Sequence, residues 1–272
     1  MVVIGQAILM IVGQIDLSVG STVSLAGVGA ALLVSGTGIP WFLALVAAIA
    51  IGLGVGAVNA LLVVVARLPS LIVTLGTLYA AAGLALVASG GQQVSDLPDE
   101  LTAAGRFEIF GLPVSVVLLI ALTVIVQLVL SYSLFGRHAY AIGGSPRGAV
   151  RAGVPVRRYT TYAFLLSGAL AGLAGVLLAA RVGVAIPIQG QGQELIVITA
   201  AVVGGISLFG GIGSVAGAVL GVIFVQVVNI GLVVAGVSSR WQLVATGFLL
   251  ILAVALDAGR RRINLNFVGA KK

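Results

Sequence analysis

Residues 133–164 read SLFGRHAYAIGGSPRGAVRAGVPVRRYTTYAF, and they interrupt an otherwise aliphatic chain. The interval from Ser131 to Thr160 carries Arg137, Arg147, Arg151, Arg157 and Arg158 and no acid. The 272-residue chain around it is 60% hydrophobic and 8% charged, with a mean hydropathy of +1.26. That composition lies far outside the range of soluble domains, so the chain reads as an integral membrane protein. A basic connector between two apolar runs is then an orientation signal, because cation-rich loops stay on the cytoplasmic side.

Working outward from this connector gives the architecture. A helix needs about 20 apolar residues to cross about 30 Å of hydrocarbon. Nine segments qualify or come close: 1–13, 19–35, 40–66, 70–88, 112–131, 160–181, 194–209, 214–236 and 241–256. The expectation is an all-α polytopic bundle of about nine spans, one transmembrane domain over 1–272 with a cytoplasmic connector at about 132–159. The tail after Asp257, with Arg260, Arg261, Arg262, Lys271 and Lys272, falls on the connector's side, which places the C-terminus in the cytoplasm. The loop from Ser89 to Gly111 holds Asp96, Asp99, Glu100 and Glu108 against Arg106 and suits the opposite side. Met1 runs straight into VVIGQAILMIVG, without a basic leader or a small-residue cleavage site, so the start does not read as a signal peptide. Nine spans put Met1 outside; a further helix before it restores an inside start.

Several chemistries drop out. Without Cys there are no disulfides, thiolate metal sites or Cys nucleophiles, and the single His138 cannot build a metal cluster. GQGQEL and GGISLFGGIG lack the Lys-Ser/Thr pair of a phosphate-binding loop, so no nucleotide cofactor is expected on this chain and ATP chemistry belongs to a partner. The net charge of +7 sits mainly in two blocks beside spans, with no basic stripe interleaved with aromatics, which argues against nucleic acid.

The polar residues inside the apolar runs are the candidate functional ones. In GQIDLSVGS, Asp16 and Ser18 stand between two aliphatic segments and read as a helix break, with one of them capping the second helix. An acid near membrane depth is also a functional hypothesis by default, whether as a partner contact, a pathway residue or a proton-coupling group. Glu194, after the glycine- and glutamine-rich IPIQGQGQ, reads the same way at the start of another helix, behind a re-entrant approach facing water. Asn59, Gln127, Gln226 and Asn229 either line a pathway for a neutral, hydroxyl-rich solute or hydrogen-bond neighbouring helices. Among the 39 glycines, Gly168 and Gly172, and Gly213, Gly217 and Gly221, recur at four-residue spacing, the pattern of close helix packing in lipid.

Five blocks in order carry a resemblance: GQIDLSVGSTVSLAG, VNALLVVVARLPSLIVTLGTLYAAAGLALVASGGQ, FGRHAYAIGGSPRGAVRAGVPVRRYTTYAFLLSGALAGLAGVLLAAR, GQGQELIVITAAVVGGISLFGGIGSVAGAVLGV and VSSRWQLVATGFLLILAVALD. From about Gly13 to Asp257 the chain resembles the permease subunit of bacterial ribose-type, monosaccharide-importing ABC transporters. The resemblance implies a ten-helix subunit of the bacterial inner membrane that pairs with a second permease copy. It further implies a periplasmic or extracellular sugar-binding protein as donor and cytoplasmic ATPase subunits, carrying ATP and Mg, as the drive. Gly143 to Val156 resembles the coupling helix that docks on the ATPase, with Gly143, Gly144, Ser145, Pro146, Arg147, Ala149, Arg151, Gly153 and Val154 as its residues. Arg147 stands where the family usually has an acid, and Gln14 where it usually has Gly.

Other readings stay open on the sequence. A proton-coupled carrier would use Asp16 or Glu194, a membrane scaffold would move nothing, and an ABC permease of this pattern would also suit nucleosides, branched-chain amino acids or a sugar-like signal.

Overall fold

The computed structural model describes residues 1–269, with side chains described as far as Gly259 apart from those of Ser239, Arg240, Gln242, Leu243 and Leu256. The cationic tail, Arg260, Arg261, Arg262, Lys271 and Lys272, therefore lies outside the described side chains. Twelve helices make up the described chain: α1 (Val2–Ile11), α2 (Val19–Val34), α3 (Phe42–Ala60), α4 (Ser70–Ser89), α5 (Asp99–Arg106), α6 (Val114–Tyr132), α7 (Leu134–Gly144), α8 (Pro146–Arg151), α9 (Val156–Val182), α10 (Gln193–Val203), α11 (Val215–Val234) and α12 (Ser239–Gly269). A tight hairpin, β1 (Glu108–Ile109) with β2 (Leu112–Pro113), and an isolated antiparallel bridge between Val94 and Ala185 are the extended pairings among the described residues.

Among the described residues five helices are long and apolar enough to cross a membrane: α3 with its π-helical extension Leu61–Val65, α4, α6, α9 and α11. The remaining four expected segments are shorter apolar helices, α1, α2, α10 and the stretch Val244–Gly259 of α12. The segment expected over 194–209 stops as a helix at Val203, because Gly204 and Gly205 lead into a glycine-rich turn.

The basic connector differs most from expectation. It is almost wholly helical, formed by α7, α8 and the first turn of α9, which starts at Val156 and not at Thr160. Two serines explain the segmentation. Ser133 Oγ accepts from Gly136 N at the start of α7, and Ser145 Oγ accepts from Gly148 N at 3.1 Å at the start of α8, where Pro146 occupies the first turn. Gly143 and Gly144 accordingly end α7 and do not merely flank α8.

Helix α9 is the mast of the bundle, packed by α1, α2, α3 and α5. Its contacts with α3 are backbone to backbone. A methyl group built on Gly168 would collide with the Gly52 carbonyl, one on Gly172 with the Ala48 carbonyl, and one on Gly56 with the Phe164 carbonyl. Helix α2 meets the same small-residue face of α9 two turns further on, where Gly175 touches Val23 and Gly27. Between α10 and α11 the same device recurs: Gly217 abuts the Gly204 carbonyl and Gly221 the Ala200 carbonyl. Gly213 does not share that face. Ser214 is the N-cap of α11, its hydroxyl accepting from Gly217 N at 3.0 Å, so Gly213 lies in the preceding turn at φ +126° and packs on Ile206.

Such surfaces leave no room for a side chain. Gly168→Leu and Gly217→Leu are each expected to cost about 3 kcal/mol or more by forcing backbones apart. Thermal unfolding in detergent measures this, and parent-like melting of either variant would show that its interface is not formed.

Candidate functional site

Asp16 lies in the break between α1 and α2 and is only 2% exposed. Its Oδ1 accepts from Ser18 N at 2.8 Å and from Ser18 Oγ at 2.6 Å, with Asn59 Nδ2 at 3.5 Å. Ser18 occupies the N-cap of α2, but its hydroxyl takes no helix N–H; it donates to Asp16 and accepts from Asn59 Nδ2 at 2.9 Å. The expected cap thus becomes a turn closed by Asp16 on the residue that begins the helix, which frees Ser18 to bond sideways to α3. Asn59 continues the chain of bonds, accepting from Thr77 Oγ1 on α4 at 2.7 Å. Thr74, one turn earlier on α4, donates to Ser70 O at 2.8 Å and reaches Ile15 O at 3.4 Å. One polar cluster therefore ties the helix break to α3 and α4. Gly56, nearly one turn before Asn59, lies against Phe164 of α9, about 12 Å along α9 from its first residue at 1.5 Å per residue, well inside the bundle.

The other end of the break is held by glycine. Gly143, the penultimate residue of α7, is packed so closely that a Cβ would meet Ile11 O and Gly211 N, while Gly211 N donates to Ile11 O at 2.9 Å. Gly210 presses on Gly13 and Gly143 from the α10–α11 turn. Three backbones, the C-terminus of α1, the end of α7 and the turn at 206–213, thus meet without intervening side chains. Tyr140, one turn before Gly143, donates to Gly213 O at 2.8 Å, and partial burial pushes its phenol above the ordinary value, so it stays a donor at every physiological pH. Asp257 of α12 fastens the same turn, its Oδ2 accepting from Ser207 Oγ and Leu208 N, both at 3.1 Å.

Beyond this junction α8 stands out from the bundle. Ala149 is its buried residue, whereas Ser145, Pro146, Arg147, Val150, Arg151 and Gly153 are exposed. Gly153 has φ +77°, a left-handed conformation that Val154 N closes by donating to Ala149 O at 2.9 Å.

Glu194 lies in the first turn of α10, where its Oε1 accepts from Gly192 N at 3.2 Å. Its Oε2 is buried without a protein partner and faces Gly20 of α2. Gln127 of α6 accepts from Ala216 N at 3.2 Å and donates to Ser131 Oγ at 3.1 Å, so it binds the free start of α11. Asn229 Oδ1 is buried without a partner, and Gln226 is exposed on α11. The structure brings Asp16, Ser18 and Asn59 together; Gln127, Glu194, Gln226 and Asn229 belong elsewhere. Thr74, Thr77, Tyr140, Ser207 and Asp257 were not legible as participants. The one signal for any of them was Asp257 as a lone acid closing an apolar run.

With this arrangement in hand, comparison with known proteins becomes specific. The family described as branched-chain amino acid transport system / permease component matches residues 1–254. The chain belongs to this family. It is thus a multi-pass permease of the bacterial inner membrane. The permease is 35% identical to the D-allose transport system permease protein AlsC of Escherichia coli K12 over 254 residues, 93% of this chain and 78% of the relative. It is 35% identical to the ribose import permease protein RbsC of Bacillus subtilis strain 168 over 260 residues, 94% of this chain and 80% of the relative. It is 36% identical to the autoinducer 2 import system permease protein LsrC of Enterobacter sp. strain 638 over 260 residues, 95% of this chain and 75% of the relative. No solved structure matches the permease.

The polar cluster predicts a graded response. Asn59→Leu removes the donor to Ser18 Oγ and the acceptor of Thr77 Oγ1, leaving Ser18 its bond to Asp16 and Thr77 the carbonyls of its own helix, and should cost on the order of 1–2 kcal/mol for the lost buried hydrogen bonds. Asp16→Asn keeps an acceptor oxygen for Ser18 and should lower folded yield less. Detergent melting curves test the order, and a parent-like Asn59→Leu would remove the cluster's structural role.

Proposed function

We propose that this permease is the membrane subunit of an ATP-driven importer of a monosaccharide or a similar neutral, polyhydroxylated solute. In this reading the chain is one transmembrane domain of nine spans, with α7, α8 and the C-terminus in the cytoplasm. The acidic segment carrying Asp96, Asp99 and Glu100 then faces a solute-binding protein on the other side. ATP and Mg belong to separate ATPase subunits, and a second permease, this chain or a related one, completes the pathway.

The observation that carries the proposal is the glycine junction at Gly143. A helix that only decorated the surface would need no such anchor. α8 presents Pro146, Arg147, Val150 and Arg151 outward, while its root is seated on Ile11, Gly13 and Gly211. A load applied to α8 therefore reaches the start of the α1–α2 break through rigid backbone. The polar cluster at the far end of that break is the element whose two packings the ATPases would bias. The solute class is supported by relatives named for D-allose, ribose and autoinducer 2.

The pair Arg151→Glu with Gly153→Val reverses an exposed charge and strains a left-handed residue on α8. It should abolish co-purification of the ATPase at least tenfold while the permease melts within a few degrees of the parent. ATP-dependent uptake of D-ribose or D-allose in reconstituted vesicles completes the test. Accumulation on a pH gradient without ATPase would overturn the proposal in favour of a proton-coupled carrier.

A further inference from the structure

We infer that the glutamine-rich turn before α10 is a solute-contact site, in which Gln191 and Gln193 line the aqueous route through the importer and hydrogen-bond the hydroxyls of a neutral polyol. The inference rests on the chain being an importer permease and adds the place where it meets its cargo.

Depth is the first argument. Residues 187–192 form successive turns, with Gln189 N donating to Ile186 O and Gln191 N to Ile188 O, both at 3.1 Å, and Gln193 N to Gly190 O at 3.1 Å. Gly190 is pressed against Gly20, and its N–H donates to Ser24 Oγ at 2.8 Å. Ser24 and Gly20 lie about 16 to 22 Å along α2 from Ser35, which marks the acidic end of the bundle through its bond to Asp96 O. From the other side, Val19 and Val23 of α2 cluster with Ala171, near the middle of the 27-residue α9. The turn is therefore held near mid-depth of the bundle. Helix α10, with 11 residues, spans about 16 Å, roughly half of the hydrocarbon thickness, and the turn stands in for the missing half.

Exposure is the second. Irregular backbone at membrane depth is tolerated where it is buried in protein or lines water, not where it meets lipid. Gly190 is buried, yet Gln191, Gly192 and Gln193 are exposed at the same level. Lipid is thereby excluded at these residues, and we place them on the water-filled route between this permease and the second one. Carboxamides suit an uncharged polyol because each offers donors and an acceptor to hydroxyls that are themselves both. Gly192, between Gln191 and Gln193, is exposed with open space around it, so a solute can approach its backbone closely. Glu194 Oε2, behind Gln193, is buried against Gly20 of α2 and is not part of the contact surface.

The chain has no cysteine, so single cysteines report on their own sites. Gln191→Cys, Gln193→Cys and, as a comparator at the exposed middle of α4, Tyr79→Cys are assembled with ATPase and solute-binding protein in proteoliposomes and treated with a charged, membrane-impermeant methanethiosulfonate. Gln191→Cys and Gln193→Cys should react at least tenfold faster than Tyr79→Cys, and saturating D-ribose or D-allose, whichever the parent transports, should slow them at least threefold. Labelling no faster than that of Tyr79→Cys overturns the inference even where the parent imports sugar. Fast labelling that neither sugar slows overturns the solute contact. A parent that transports neither sugar with ATP counts against the proposed function, and labelling at Gln191 and Gln193 still reads water access independently of it.

Discussion

Lipid gives two apolar helices no hydrophobic reason to leave it for each other, so this bundle depends on how closely its backbones approach. The decisive contacts are those in which a glycine on one helix receives the carbonyl of another: Gly168 with Gly52, Gly172 with Ala48, Gly175 with Val23 and Gly221 with Ala200. They concentrate on α9, the most buried of the long apolar helices, while α3, α4, α6 and α11 present most of their residues outward. Large apolar side chains at the central contacts would have produced a wider, softer bundle. Small residues there also explain how a protein so rich in Val, Leu and Ile holds a defined shape.

The same constraint shapes the irregular parts. Each interruption of a helix inside the bundle frees backbone groups that lipid cannot satisfy, and each is answered locally. Asp16 takes the N–H of Ser18, Gln127 takes that of Ala216, Ser24 takes that of Gly190, and Asp257 takes that of Leu208. Polar side chains at these positions are the condition for having a break at all. The acids in the apolar part of the chain are thus first explained by the backbone they satisfy, and only then by what passes them.

How much of this was legible in the sequence follows from the range of each interaction. The break at Asp16 was visible because an acid inside an aliphatic run is costly at membrane depth unless free backbone N–H groups meet it, and a helix start supplies them. The order of apolar segments was visible because hydropathy is local. The partners of the break were not. Asn59, Thr74 and Thr77 sit on helices whose sequence alone does not say which faces turn toward Asp16, and threonine is compatible with any face of an apolar helix. Gln127 is joined to Ala216 across 89 positions of the chain, a pairing no periodicity announces. Helix α7 was hidden by its own composition, since Gly136, Gly143, Gly144 and a basic charge read as a loop; packing of Ala139 and Ile142 into the core overrides that weak propensity. Gly213 was misassigned because four-residue spacing fits a helix equally well whether the helix begins before or after Ser214.

These features have a mechanical reading that does not depend on any one of them. A force on α8 is passed on within two residues to packed backbone: Gly143, the penultimate residue of α7, rests on the Ile11 carbonyl, and Tyr140 and Asp257 pin the turn that carries Gly211 to α7 and α12. The first compliant element beyond is the non-helical stretch from Gly13 to Leu17, fixed at its far end by hydrogen bonds. Backbone contacts are stiff, because they leave only a direct clash in which to give, whereas a hydrogen-bonded cluster of Asp, Ser, Asn and Thr can exchange partners at small cost. Stiffness at the junction and exchangeability at the cluster are what an alternating structure requires in that order. In the reverse order the junction would absorb the force before it reached the bundle.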